Sequence, residues 1–203
     1  MATAGEMIKV IADAIARPQA TVTSYYAALR KAGYISTTGR GRSAQDLSAL
    51  DTARILIVML SADALNEAEA ITDLVGDLAY AVGSEEEGVT DWMNFEEAVA
   101  SIIQYKADRN HGRDPCDTGL LGDLENKNIS INVTATHLTA NIEVHGLPFD
   151  FTNFHDTPPV TYPDEWSEIP MRDRLLLRAL FEGMAVTRSI DDLVLRRIAK
   201  AMP

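Results

Sequence analysis

The sequence has little of what would assign it to a secreted or membrane protein. Its single cysteine, Cys116, forms no internal disulfide, which fits a reducing compartment. Its longest apolar run, residues 55–60, is far shorter than the ~20 residues that span a bilayer. Its N-terminus lacks the basic region and apolar core of a secretory signal. We therefore expect a cytoplasmic protein, from a bacterial or phage-infected cell, that makes no contact with a membrane.

Catalytic and metal-binding motifs are also missing. The chain contains no nucleophile elbow, no phosphate-binding Gly-Lys-Ser/Thr loop and no dinucleotide-binding glycine motif. Its four histidines lack tight ligand spacing, which with one cysteine argues against a zinc site. A nuclease-like pattern of acids and a lysine over residues 114–127 precedes the predicted strand instead of lying on it. We predict no catalytic residue, no metal and no cofactor, so an enzyme ranks third among the function classes.

Charge is distributed unevenly along the chain. The net charge is −12, yet residues 1–62 carry seven basic groups against four acidic ones. Residues 63–203 carry the remaining 11 basic and 26 acidic groups. A basic head on an acidic body suggests that a polyanion meets one end only. Ordinary scatter of charge is the alternative.

Apolar periodicity predicts a helical first half. Helical spacing covers residues 6–16, and Thr21 offers a side-chain cap for a second helix over 22–32 that ends at Gly33. A capping box of Ser48 and Asp51 opens a strongly apolar helix over 49–62. Residues 64–82 continue in helical period, and a helix from the pair Asn94 and Glu97 runs to about residue 106.

The period changes to two in the second half, which predicts strands. Residues 129–133 and 140–144 alternate as a β-hairpin, with a third strand near 147–154. Two closing helices follow, one over 170–184 and one from a Ser189/Asp192 capping box to residue 201. The predicted fold class is α+β: an N-terminal (winged) helix-turn-helix, a helical segment, a small antiparallel hairpin or meander, and two C-terminal helices.

The first 62 residues carry the most functional information. The phrases Ala-Thr-Val-Thr-Ser at 20–24 and Leu29 followed by Ala-Gly-Tyr-Ile at 32–35 lie within residues 11–35. This segment resembles the DNA-binding part of winged helix-turn-helix and helix-turn-helix proteins, and the resemblance implies a recognition helix and its exit. Residues 36–45 offer little β-branched sequence for a wing, so a plain helix-turn-helix with a basic loop is equally compatible.

Residue spacing indicates which side of this helix meets DNA. Val22 and Leu29 are spaced to face the first helix, which leaves the short hydroxyl side chains outside, where they approach phosphates or base edges. Arginines separated by glycines can follow a backbone or enter a minor groove. The predicted DNA-binding residues are Gln19, Thr21, Thr23, Ser24, Lys31, Arg40 and Arg42. The alternative is a small helical bundle whose turn happens to contain arginines.

These patterns predict a DNA-binding protein, a bacterial or phage-derived transcriptional regulator, with domains at 1–62 and 63–203. The expected partners are double-stranded DNA and further copies of the chain, as a homodimer or higher homo-oligomer. The hairpin 128–146 is the expected contact between copies, since it offers an apolar face and an exposed edge. The alternatives are a small DNA-packaging (terminase-type) subunit of a phage, or a phage-related structural or adaptor protein without nucleic-acid binding. For the C-terminal arginines we expect surface salt bridges, with a second anion-binding face as the alternative.

Overall fold

The computed structural model describes residues 3–35, 46–80, 94–116, 118, 121, 124–134, 138–152, 170–172, 174–175 and 186–202. Six α-helices and a five-stranded antiparallel sheet occupy these ranges, which confirms the predicted α+β class. Among the helices described, none has the length and apolar character needed to cross a membrane.

The first two helices are joined by a short turn and pack against each other. Helix α1 (Ala4–Ala14) begins at a reciprocal capping box of Thr3 and Glu6. Helix α2 (Gln19–Ala32) ends, as predicted, at Gly33, whose φ of 92° is readily adopted by glycine alone. The predicted start of α2 is wrong. Pro18 is its N-cap, so Thr21 lies inside the first turn and caps nothing, because proline already supplies a suitable φ for helix entry.

Three further helices surround the centre of the molecule. Helix α3 (Ala49–Ser61) starts at the predicted Ser48/Asp51 capping box, and 11 of its 13 residues are buried. Helix α4 (Ala68–Gly76) follows a 3-10 turn (Leu65–Glu67), and α5 (Phe95–Asn110) starts at the predicted Asn94/Glu97 box. The helix predicted over 64–82 was therefore too long. The chain leaves it after Gly76 because residues 79–80 pair with a strand elsewhere in the sequence.

The sheet is built from β1 (Ala79–Tyr80), β2 (Ile129–Thr134), β3 (Thr139–Val144), β4 (Leu147–Thr152) and β5 (Thr187–Asp191). Its order is β1-β4-β3-β2-β5, with every pair antiparallel. Ile131 lies opposite Ile142 on one side and Ile190 on the other, in a buried row. The predicted hairpin and third strand are confirmed.

The hairpin 128–146 does not offer the free edge that we expected for a contact between copies. Strand β2 pairs with β5, and β3 pairs with β4, so both edges of the hairpin are already hydrogen-bonded. Its apolar face is buried in the core of the same chain, as Ile129, Val133 and Val144 show. The alternating face is therefore covered from within, and it gives no reason to place a second copy there.

The C-terminal part departs from prediction at one boundary. The expected Ser189/Asp192 capping box is wrong: Ser189 lies on β5, opposite Asn132. Helix α6 (Asp192–Ala201) is instead capped by Asp191, whose carboxylate accepts from the Val194 N–H at 3.0 Å, and it ends where predicted. Of the helix predicted over 170–184, residue 170 is not helical, residues 171–172 and 174–175 are helical, and residues 173 and 176–184 lie outside the described residues.

One hydrophobic core runs through all of these elements. Helix α1 packs against both α2 and the C-terminal α6, while α3 packs against α2, α4 and α5. The described residues before and after position 62 therefore pack into the same hydrophobic core. The domain boundary at residue 62 stays a prediction, and functional tests need the whole chain.

Candidate nucleic-acid interface

Helix α2 has one buried and one exposed side. Val22 and Leu29 are completely buried, and Tyr25 is almost so. Their spacing of three and four residues places them on one stripe of the helix, which packs against α1 and α3. The helix phase predicted from Val22 and Leu29 is therefore the observed one, and the opposite side of α2 faces outward.

Four of the predicted contact residues share that outer side. Gln19, Thr23, Ser24 and Lys31 are exposed, while Thr21 is half-buried on the flank. At 1.5 Å per residue, α2 is about 21 Å long, so Gln19 and Lys31 mark its two ends. The outer side is thus a continuous helical surface of the length that crosses a DNA major groove.

The two hydroxyls on this surface are already engaged as donors. Thr23 Oγ1 donates to the Gln19 carbonyl at 2.9 Å, and Ser24 Oγ donates to the Ala20 carbonyl at 3.0 Å. Each hydroxyl therefore presents lone pairs outward. Such groups accept hydrogen bonds from exocyclic amines of bases. They do not donate to phosphate unless the bond to the helix is given up.

The segment of the sequence that contains α2 has no acidic residue. Between residues 14 and 45 the chain has five basic residues and no acidic one, although it carries 30 acids in total. Arg17 flanks the start of α2, and Arg30 and Lys31 occupy its last turn, all three exposed. The site predicted from sequence omitted Arg17 and Arg30. The signal that finds them is the long interval without Asp or Glu.

Arg40 and Arg42, the other predicted contacts, lie outside the described residues. Their position relative to α2 stays a prediction, and so does a wing between α2 and α3. The last described residue before this stretch, Ile35, is buried, with 1% of its surface exposed. The exit of α2 is therefore held in the core up to that point.

A part-buried polar cluster lies next to the exit of α2. Arg54 on α3 donates through Nε and Nη2 to the two carboxylate oxygens of Glu96 on α5, at 2.9 and 2.7 Å. Its Nη1 donates to the Tyr34 carbonyl at 2.6 Å, and its guanidinium lies 5.8 Å from the centre of the Tyr34 ring. The bonds to Glu96 outweigh burial and raise the pKa of Arg54, which keeps it a cation.

The same cluster continues onto α4. The Tyr34 hydroxyl donates to Asp73. Burial, with this bond second, raises the pKa of Tyr34 well above its ordinary value of 10.0, so it stays a neutral donor. Burial, then the charges of Glu96 and Asp73, raises the pKa of Asp77. The side of the molecule next to α4 is accordingly acidic, in contrast to the outer side of α2.

A cleft of about 680 Å³ lies at one end of the sheet, where β5 passes into α6. In the strand register, Ser130 lies between Asp191 on one neighbour and Glu143 on the other. Within the described ranges, no group of three or more His, Cys, Asp or Glu side chains is placed to hold a metal ion. The carboxylates at this cleft oppose the approach of a polyanion. Residues lining it are Asn128, Ile129, Ser130, Glu143, His145, Gly146, Asp191, Asp192, Leu193 and Arg196.

Two of the C-terminal arginines form the predicted salt bridges. Lys106 Nζ donates to Asp192 at 2.5 Å, and Arg196 donates to the second oxygen of the same carboxylate. Burial would raise the pKa of Asp192, but these two bonds outweigh it and lower the pKa. Arg188 donates to the Leu60 carbonyl at 3.0 Å and to Asp63. The predicted salt bridges are therefore confirmed for Arg188 and Arg196. These two arginines give no support to the alternative, a second anion-binding face.

Comparison with known proteins gives no information about the function of this chain. No protein-family model, no curated protein and no solved structure matches the chain. The resemblance of residues 11–35 to helix-turn-helix proteins therefore stays a prediction.

Proposed function

We propose that this protein binds double-stranded DNA through the outer side of α2 and acts as a transcriptional regulator. One observation carries the proposal. Helix α2 presents an exposed surface with basic residues at both ends and no acid, in a protein whose net charge is −12. Because residues 63–203 carry 26 acidic groups against 11 basic ones, their net charge disfavours a duplex and favours its approach with α2 foremost.

The chemistry of the surface suits a major groove. Gln19 offers an amide that pairs with both hydrogen-bonding groups of adenine, and Thr23 and Ser24 offer acceptors to base amines. Arg17 before the helix and Lys31 in its last turn are far enough apart to reach phosphates on either side of a groove about 12 Å wide. In this arrangement the ends of α2 position the protein and its middle reads sequence.

The proposal includes a homodimer. A module with so few cations neutralises few phosphates and binds weakly at physiological salt. Joining two such modules raises affinity by about 10²–10⁴ and sets half-sites about one helical turn apart. The contact between copies does not use the edges of hairpin 128–146, since both are paired within the chain. Sedimentation of the whole chain tests the dimer, because a ring-forming packaging subunit has a larger mass.

The proposal is tested by the salt dependence of DNA binding. Fluorescence anisotropy with a labelled mixed-sequence duplex, from 50 to 200 mM salt, gives the slope of log K against log [salt]. In the proposed homodimer, the double variant Arg30→Gln/Lys31→Gln removes two phosphate contacts from each copy, so its slope should be shallower by about 3.6, at ~0.9 for each of the four contacts. The matched control Arg109→Gln/Arg113→Gln removes the same charge from paired arginines at the end of α5 and should keep the wild-type slope.

Two results contradict the proposal. If the wild-type chain does not bind duplex DNA at the lowest salt, the protein is not a DNA-binding protein. If both double variants lose the same slope, binding follows overall charge and α2 has no special part in it. Selection from a random duplex pool then tests specificity, and a regulator should enrich one motif that Gln19→Ala alters.

A further inference from the structure

The exit of α2 is clamped by a residue that does not lie on the DNA-facing side. We propose that Arg54, acting through Tyr34, is a positioning residue for DNA binding. It holds the last turn of α2, with Arg30 and Lys31, at a set place relative to the acidic body. The inference rests on the proposed function and adds to it a residue that DNA does not touch.

All three guanidinium nitrogens of Arg54 donate hydrogen bonds to residues outside α3. Two meet Glu96 in a bidentate pair, and the third meets the Tyr34 carbonyl at 2.6 Å. The guanidinium also lies over the Tyr34 ring at 5.8 Å. Because the guanidinium is planar, its N–H groups point in fixed directions, and its hydrogen-bond partners must lie along those directions. Arg54 therefore ties α3 and α5 to the residue that follows α2.

Tyr34 connects Arg54 to the last turn of α2. Its N–H donates to the Leu29 carbonyl at 3.0 Å, which closes the last turn next to Gly33. Its hydroxyl donates to Asp73 on α4, so the residue is bound at its amide, its carbonyl and its ring. Arg30 and Lys31 lie within that closed turn. Displacing Tyr34 therefore displaces the cations that we assign to phosphate contact.

Glu96 has little room to move, so it cannot follow a change at its partner Arg54. It is 8% exposed and lies against Gly76, where an added Cβ would come within 3.1 Å of Oε2. An apolar replacement of such a part-buried ion pair is often no less stable, so we infer that the pair contributes chiefly by setting geometry. We therefore expect the conservative variant Arg54→Lys to matter, since an ammonium group cannot reproduce the fork.

The test compares Arg54→Lys with Arg188→Lys in the whole chain. Arg188 is also part-buried and donates to a carbonyl and a carboxylate, but it ties β5 to the end of α3. Loss of folded protein lowers apparent affinity by a constant factor and leaves the salt slope unchanged. Titrations well below both melting temperatures therefore separate displacement of α2 from loss of stability. Arg54→Lys should weaken binding about threefold to tenfold and make the slope shallower by about one, while Arg188→Lys keeps the wild-type slope.

A second variant and a second readout keep the inference testable if Arg54→Lys does not fold. Tyr34→Phe keeps the carbonyl and the ring but loses the bond to Asp73, and it should also make the slope shallower. In the free protein, the amide NMR signals of residues 28–35 should shift in both α2-exit variants and stay in place in Arg188→Lys.

The outcomes separate the inference from the proposed function. A wild-type chain that does not bind DNA ends the proposed function, and the inference with it. A wild-type chain that binds, with the folded Arg54 and Tyr34 variants at its salt slope, overturns the inference alone. Equal slopes for Arg54→Lys and Arg188→Lys overturn it as well.

Discussion

Replacing Leu29 with alanine tests the phase of α2, on which the whole interface depends. Leu29 is completely buried between α2 and its neighbours. Its truncation removes about three methylene equivalents, roughly 2.4 kcal/mol of transfer free energy at ~0.8 kcal/mol each. The cavity left behind brings the expected loss of unfolding free energy to about 2–5 kcal/mol.

Ser24→Ala is the matched change on the opposite side of the same helix. Ser24 is exposed, and its hydroxyl returns a bond to the Ala20 carbonyl that alanine does not need. Alanine is the better helix former, so we expect a change in unfolding free energy within about 0.5 kcal/mol. Affinity for DNA, or sequence preference, should change in Ser24→Ala although its stability does not.

Thermal melts followed by circular dichroism measure both variants. For a chain of this size, 1 kcal/mol shifts the melting temperature by about 2–4 °C, so Leu29→Ala should melt about 4–20 °C below wild type. Ser24→Ala should melt within about 2 °C of wild type. The reverse pattern, with Ser24→Ala the unstable variant, would show that α2 presents its other side outward and would remove the proposed interface.

Two further pairs of variants test the surroundings of the site. Gly5→Ala should stabilise the chain by about 0.5–1 kcal/mol because its Cβ meets open space in α1. Gly76→Ala should destabilise it in the same urea titration because the Cβ presses on Glu96, which Arg54 holds; equal gains in both would refute this packing. The pKa of Asp77 is raised above 3.8 in the folded chain, so its charge opposes folding at neutral pH, and Asp77→Asn should raise the melting temperature there and have little effect below about pH 4. The pKa of Asp192 is lowered below 3.8, so its stabilisation is present above that pH and lost as pH falls through the folded-state value. Asp192→Asn should thus lower the melting temperature at neutral pH, by a margin that narrows below pH 3.8; a lower melting temperature for Asp77→Asn would contradict the first assignment, and a higher one for Asp192→Asn would contradict the second.

Short-range signals in the sequence determined most of the helices and the central strands. Caps such as Ser48/Asp51 and Asn94/Glu97 satisfy backbone groups within three residues, so they act wherever the chain folds. The left-handed Gly33 ends α2 for the same local reason. Alternation over 129–133 and 140–144 predicted a hairpin because one face of each strand had to be buried. The buried and exposed sides of α2 also followed from spacing alone.

Tertiary structure decided the elements that have no local signal. Strand β1 has two residues and β5 is largely polar, and both exist because β4 and β2 supply their hydrogen bonds. The pairing of β5 turned the predicted cap residue Ser189 into a strand residue, since ladder bonds outweighed a capping box. Arg54 and Glu96 are 42 residues apart, and their pairing depends on how α3 and α5 pack. Contacts of this kind require chain closure over long distances, which no local pattern specifies. The sequence by itself thus determined which side of α2 is exposed, and the tertiary structure decided how its exit is held.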